Sequence, residues 1–203
     1  MVALVVLAYL VGSLSPSVFL GKLVKGIDVR DHGSGNAGTT NAFRVLGTGL
    51  GIAVLAGDVL KGFLPVLLAR EISTPLATVL AALAAIGGHN WSVFLRGKGG
   101  KGVATGAGTL LAMTPLILAA LVAVFLAVLV LTRFVSLASL TAVVLFPAFV
   151  ILAGRSAPYV VFSLVASAVV MFAHRGNIVR LVRRKERRTS MPWHRWIDHE
   201  PPS

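Results

Sequence analysis

The sequence predicts an all-α protein, a polytopic transmembrane helical bundle of about seven short spans with its N-terminus outside and its C-terminus cytoplasmic. Three observations carry this. Of the 203 residues, 56% are hydrophobic and only 13% are charged, about half the ~25% charge of a soluble domain. The apolar residues fall in continuous runs close to the ~20 residues that cross a bilayer. The basic residues gather between those runs, as they do in loops on the positive-inside side of a membrane.

The runs follow in order. The stretch MVALVVLAYLVGSLSPSVFLG carries no charge before Lys22. It lacks the basic opening of a signal peptide and reads as a retained first helix. Lys22, Lys25 and Arg30 follow it and assign its end to the cytoplasm. The second run, 46–69, is interrupted by Asp58 and Lys61, and the third is 75–95. The fourth, 103–132, has no charged residue and is too long for one span, and the last two are 134–153 and 157–173. Charge parity divides the fourth. If the basic clusters before, within and after these runs share one face, the chain from 103 to 173 crosses an even number of times. Thr114-Pro115 is the break, because proline disfavours helix in the residue before it. The two halves are then short or partly re-entrant, as backbone buried in protein allows. Arg70 and Arg155 fall outside. Residues 1–188 form one domain, and 189–203, with Trp193 and Trp196 around His194 and Arg195, read as an interfacial or disordered tail.

Composition also excludes function classes. The formal net charge is +12, which in a soluble protein points to nucleic acid. Here the basic residues lie at membrane ends, where they meet anionic lipid headgroups, so no nucleic-acid partner is expected. There is no cysteine, which removes disulfides, a thiol nucleophile and thiolate metal sites. The seven acids and five histidines show no ligand spacing, so neither metal nor cofactor is expected.

Three clusters on the predicted cytoplasmic side carry the chemistry. The first runs from Asp28 through Gly33, Ser34, Gly35, Asn36, Thr39, Thr40 and Asn41 to Arg44. The second holds His89, Lys98, Gly99, Gly100, Lys101 and Gly102. The third holds His174, Asn177, Arg180 and Glu186. Both glycine loops satisfy GxGxxG formally, but no βαβ unit fits between apolar runs, so the dinucleotide reading fails. The physics of such loops still holds, since glycine backbone N–H groups converge on phosphate oxygens and a helix start adds its dipole. Lys98 and Lys101 bring charge, and Arg44 offers a bidentate fork. Two such loops on one face point to two phosphorylated substrates, or one large one, with a lipidic part. Asp58 and Lys61, three apart inside a span, pair with each other or hold a basic residue of the site. A transporter of an organophosphate or anion is the alternative, disfavoured because transporters bind near the midplane and often show repeated halves.

These residues also carry a family resemblance. GSLSPSVFLGKL from Gly12, IDVRDHGSGNAGTTNAFRVLG from Ile27, GDVLKGFLPVLLA from Gly57, GHNWSVFLRGKGGKGVAT from Gly88, RFVSLASL from Arg133 and HRGNIVRL from His174 resemble the bacterial acyl-phosphate:glycerol-3-phosphate acyltransferases, the PlsY family of membrane enzymes. Thr39 stands where alanine is common, Gly97 replaces a bulky residue, and Arg184 replaces the glycine two before Glu186. The resemblance implies transfer of a fatty acyl group from acyl phosphate to the 1-hydroxyl of sn-glycerol 3-phosphate. It places a monomer in the bacterial cytoplasmic (inner) membrane, with the active site on the cytoplasmic side. On it, His89, Lys98, Gly99, Gly100, Lys101 and Gly102 bind glycerol 3-phosphate. Ser34, Gly35, Asn36, Thr40, Asn41 and Arg44 hold the acyl phosphate head. Asp58, Lys61, Arg180 and Glu186 support them. Ser34, Lys101, His174 and Asn177 are the catalytic set, with His174 or a substrate phosphate as base. Ser34 as a nucleophile with a histidine base is the mechanistic rival.

Overall fold

The structure, a computed structural model, describes residues 1–189, and they form ten α-helices with no strand among them. The expected tail falls almost wholly outside the described residues. α1 (Val2–Ser13) and α2 (Pro16–Lys25) divide the first run, which the sequence reads as one helix. The reason is Pro16, which has no N–H to donate and turns Ser15 to an extended conformation. Two of the carbonyls freed near the break find side-chain donors: Leu14 O accepts from Lys61 Nζ at 2.6 Å and Ser13 O from Ser92 Oγ at 2.6 Å. α3 (Thr39–Leu46) is a short helix where the sequence reads a loop, and α4 (Thr48–Ile72) and α5 (Pro75–Asn90) follow it.

The fourth run breaks at Thr114-Pro115 as expected, into α6 (Val103–Met113) and α7 (Pro115–Thr132). α8 (Val135–Leu152) and α9 (Ala157–Ala173) come next, and the axis bends by 62° into α10 (Arg175–Val182). Five segments are long and apolar enough to cross a membrane, and α9 with its bent continuation makes a sixth. α6 has 11 residues, about 16 Å of helix against ~30 Å of hydrocarbon. It is the short half that the sequence expects before Thr114-Pro115, and its N-terminus starts inside the bundle, beside Asn90 and Ile86. At its other end Arg70 Nη1 donates to Ala112 O at 2.6 Å and Arg155 Nη2 to Met113 O at 3.2 Å. Two cations thus satisfy open carbonyls at the negative end of the helix dipole.

Small residues set the tightest helix contacts. A Cβ on Gly12 or Gly88 would strike the facing backbone of α5 or α1, and one on Gly62 or Gly108 the facing backbone of α6 or α4. Backbones approach this closely in membranes because dispersion, rather than water exclusion, drives the pairing. The α1–α5 and α4–α6 pairs fix the depth at which the ends of α4, α5 and α6 meet. All three sequence clusters gather there.

Candidate functional site

The first cluster is organised from within. Asp28 Oδ1 accepts from Arg30 N and Nε at 3.0 and 2.9 Å, and Oδ2 from Arg30 Nη2 at 2.7 Å. These bonds hold the Asp28 carboxyl well below the usual carboxylate range. Asn41, buried at the start of α3, donates to Val29 O at 2.8 Å and His32 O at 3.1 Å and accepts from Ser34 N at 2.8 Å. Both of its amide hydrogens are committed to the loop, so it shapes the site rather than offering a donor to a substrate. Asn36 caps its own turn by accepting from Gly38 N at 2.9 Å, and its Nδ2 lies 3.4 Å from Gly99 O. Gly35, just before Asn36, sits at φ +70 and donates its N–H to His32 O at 3.1 Å.

The second glycine loop uses its backbone differently from the phosphate cradle that the spacing predicts. Gly99 N donates to Asn90 O at 3.2 Å and Gly100 N to His89 O at 2.9 Å. Both glycines lie so close to His89 that a Cβ on either would collide with it. Their smallness lets the loop seal the end of α5, and their N–H groups are already bonded. Lys98 is exposed at the loop and lines neither of the cavities described below. Lys101 turns inward, and its Nζ donates to Asn177 Oδ1 at 2.5 Å. Burial pushes Lys101 down to about 8, with Glu186 opposing the shift and Arg180 and Arg44 adding to it. Gly102, at φ +82, starts α6, whose first N–H groups have no acceptors in their own helix.

Asp58 links the first two clusters. It is 1% exposed, and its Oδ1 lies 2.9 Å from Lys61 Nζ and 3.5 Å from His89 Nδ1. Its Oδ2 accepts from Thr39 Oγ1 at 2.9 Å. Asp58 thus pairs with Lys61 and lies against Thr39 and His89.

The third cluster closes the ring. His174 stands at the bend between α9 and α10, and its Nδ1 lies 2.8 Å from Val170 O. That carbonyl can only accept, so Nδ1 carries the proton and donates it in the hydrogen bond, which leaves the lone pair on Nε2. α10 ends with Arg183, then Arg184 at φ +55, and Lys185 N donates to Arg180 O at 2.7 Å. This is a helix-ending turn of the kind glycine favours, retained here by arginine. It sends Glu186 back onto the site. Glu186 accepts from Asn177 Nδ2 at 2.6 Å, Ser136 Oγ at 2.8 Å and Arg180 Nε at 2.7 Å. Burial works against the charge of Glu186, and these three bonds outweigh it, holding its carboxyl below the usual range.

Two cavities meet at these residues. The larger, about 900 Å³, runs from Ser34, Arg44, Lys101 and His174 into an apolar end formed by α6 to α9, where Phe146 and Phe162 stand edge to face. The smaller, about 290 Å³, is bounded by Gly35, Arg175 and Gly176. Ser34, Asn36, Lys101, Asn177 and Arg180 line both. Thr40, Asp58, His89 and Gly102 line the larger one alone. The arrangement suits an anion with an apolar tail in one space and a small polar molecule in the other. Sequence reasoning missed Ser136, which gave a signal only through its place in RFVSLASL. Thr39 belongs to the first cluster as read from the sequence, and the structure directs its hydroxyl to Asp58.

Comparison with known proteins agrees with this geometry. The family model described as glycerol-3-phosphate acyltransferase matches residues 2–184. The chain is 48% identical over 184 residues to the glycerol-3-phosphate acyltransferase of Desulforudis audaxviator, covering 91% of this chain and 93% of that one. It is 48% identical over 177 residues to glycerol-3-phosphate acyltransferase 2 of Moorella thermoacetica, covering 87% and 91%. The crystal structure of PlsY (YgiH), an integral membrane glycerol 3-phosphate acyltransferase, superposes in its glycerol 3-phosphate form with a TM-score of 0.91 at 36% identity, over 98% of both chains. Its lysophosphatidic acid form gives 0.88 at 38% identity, over 93% of this chain and 95% of that one.

Proposed function

The chain belongs to the glycerol-3-phosphate acyltransferase family, and from that premise we propose that its joined cavities transfer a fatty acyl group from acyl phosphate to the 1-hydroxyl of sn-glycerol 3-phosphate. It is a multi-pass membrane acyltransferase acting on glycerol 3-phosphate, and the transporter alternative falls with that membership. The products are 1-acylglycerol 3-phosphate and inorganic phosphate, the first step of phospholipid synthesis. The observation that carries the reading is the wall of Ser34, Asn36, Lys101, Asn177 and Arg180 common to the two cavities. A small polar acceptor on one side of it lies against the head of an amphipathic donor on the other.

In this reading the acyl chain occupies the apolar end, between α7, α8 and α9. Arg44, Ser34 and the start of α3 at Thr40 take the phosphoryl oxygens, where the helix N-terminus favours anions. Lys101, with the open N-terminus of α6, takes the glycerol phosphate. The acceptor oxygen attacks the acyl carbonyl carbon, a tetrahedral oxyanion forms, and the bond from carbon to the phosphate oxygen breaks as phosphate leaves. The hydroxyl proton passes to His174 Nε2 or to a phosphate oxygen. Phosphate is a good leaving group, so orientation and oxyanion stabilisation supply most of the rate, and a Ser34 acyl-enzyme is unnecessary. Asn177 presents its amide beside Lys101, and Glu186 fixes the way that amide faces. Asp58, Lys61 and Asn41 hold the loops. The site faces the cytoplasm of a bacterial inner membrane, the N-terminus lies outside, and the chain acts as a monomer.

Purified protein with palmitoyl phosphate and sn-glycerol 3-phosphate is expected to form lysophosphatidate, and with palmitoyl-CoA in its place none. Product from palmitoyl-CoA alone would overturn the assignment of the donor.

A further inference from the structure

The turn at Arg184 has a second consequence. It reverses the chain after α10 and lays 185–189 across the head of the large cavity. The crossing is anchored along its length. Glu186 holds Asn177, Ser136 and Arg180, Arg188 stacks its guanidinium 5.3 Å from the Phe134 ring, and Thr189 N donates to Arg133 O at 2.8 Å. Between these anchors Arg187 lines the large cavity, as does Thr189, whereas Arg188 does not. Arg187 Nη1 reaches Gly33 O at 3.5 Å, at the long limit of a hydrogen bond, so most of its donors face the cavity or solvent.

Arg187 lies close enough to Arg44 for each charge to oppose the other. With Arg180 and Lys101 they make four cations on the polar end of one cavity. Of the two carboxylates there, Asp58 sits against Lys61 and Glu186 against Arg180. Four cations with only Glu186 among them to offset their charge bind anions, because a phosphoryl group removes their mutual repulsion and takes charge-assisted hydrogen bonds from them. Gly33 and Ser34 belong to the loop assigned above to the acyl phosphate head. Arg187 reaches that loop from the opposite rim, and it does not line the smaller cavity.

We propose that Arg187 is a further binding residue for the phosphoryl head of the acyl donor, carried over the large cavity by the strap 185–189 and acting on the donor rather than on glycerol 3-phosphate. The inference rests on the proposed reaction. Its selectivity follows from position, since Arg187 sits on the donor side of the wall that Lys101 and Asn177 form.

The test is steady-state kinetics with palmitoyl phosphate and glycerol 3-phosphate varied in turn, on the native chain, Arg187→Gln, Arg187→Lys and Lys185→Gln. Turnover of palmitoyl phosphate by the native chain is measured first, and its absence would overturn the reaction itself together with the inference. Given turnover, Arg187→Gln is expected to raise the KM for palmitoyl phosphate about ten-fold, the worth of one charge-assisted hydrogen bond. The KM for glycerol 3-phosphate should stay within about two-fold, Arg187→Lys should recover part of the loss, and Lys185→Gln, at an exposed position of the strap that lines neither cavity, should resemble the native chain. Three results overturn the proposal: an unchanged KM for palmitoyl phosphate in Arg187→Gln, a parallel rise in both KM values, or an equal rise in Lys185→Gln, which would make the effect one of the strap's general charge and not of Arg187. Melting temperatures of the variants in the same detergent separate misfolding from lost binding, and Arg187→Lys keeps the charge readout if Arg187→Gln unfolds.

Discussion

Lys101 donates a 2.5 Å hydrogen bond to Asn177, joining the glycine loop after α5 to the helix after the bend at His174. The two residues are 76 apart in the chain, and both line the wall that the two cavities share. Replacing Lys101 by Ala should raise the KM for glycerol 3-phosphate ten-fold or more by removing a charge-assisted contact with its phosphate. Lys101→Ala with Asn177→Ala should be less harmful than the sum of the singles, because the residues act together. Additive effects in that double-mutant cycle would contradict a joint role.

Lys101 is held near 8 chiefly by burial, and it binds phosphate only when protonated. The free-enzyme kcat/KM for glycerol 3-phosphate should therefore decline as pH rises through about 8. Arg stays protonated past pH 12, so in Lys101→Arg the alkaline decline should move out of the accessible range, whatever the variant's absolute rate. A pH profile identical in the two proteins would exclude Lys101 as its source.

Much of the bundle can be read from the sequence, because hydrophobic length and charge report burial and membrane side directly. The break at Thr114-Pro115 is one case, and the separation of Arg70 and Arg155 from the other basic residues is another. α3 was not legible, since eight residues with Arg44 among them look like loop. The partners of individual N–H groups were not legible either. Gly99 and Gly100 look like a phosphate cradle, yet the packing of their loop on His89 decides that their N–H groups bond to the end of α5. Asn41 looks like a ligand until Val29, His32 and Ser34 are seen to use its amide. Long-range pairing sets these choices, and spacing does not encode it.

Gly100→Ala puts a methyl group into the imidazole of His89. The loop then shifts away from α5 and carries Lys101 with it. The KM for glycerol 3-phosphate should rise, while Gly49→Ala, where an added Cβ meets nothing within 4 Å, should match the native chain. Kinetics of the two variants side by side check this.

Asp58→Asn leaves Lys61 buried without its counter-charge and weakens the hold on Thr39 and His89. Breaking a buried pair from one side costs about 3–5 kcal/mol, so the melting temperature in detergent should fall markedly. Asp58→Asn with Lys61→Met should recover part of the loss. A single variant as stable as the native chain would remove Asp58 from its place as the link between clusters.

Arg184 occupies a left-handed turn at φ +55, where glycine avoids a Cβ penalty of roughly 1 kcal/mol. Arg184→Gly should leave both KM values unchanged and raise the melting temperature by a few degrees. A lower melting temperature would show that the arginine side chain contributes more than its backbone strain removes.

The central claim is that acyl phosphate and glycerol 3-phosphate lie together across the wall of Ser34, Lys101 and Asn177, so that transfer is direct. Rapid-quench measurement with radiolabelled palmitoyl phosphate tests it most directly, following phosphate, lysophosphatidate and label bound covalently to protein. The account predicts no phosphate burst and no labelled protein without glycerol 3-phosphate, and with it phosphate and lysophosphatidate forming one for one from the first turnover. A stoichiometric burst of phosphate with label on the protein, abolished in Ser34→Ala, would establish an acyl-enzyme and contradict direct transfer.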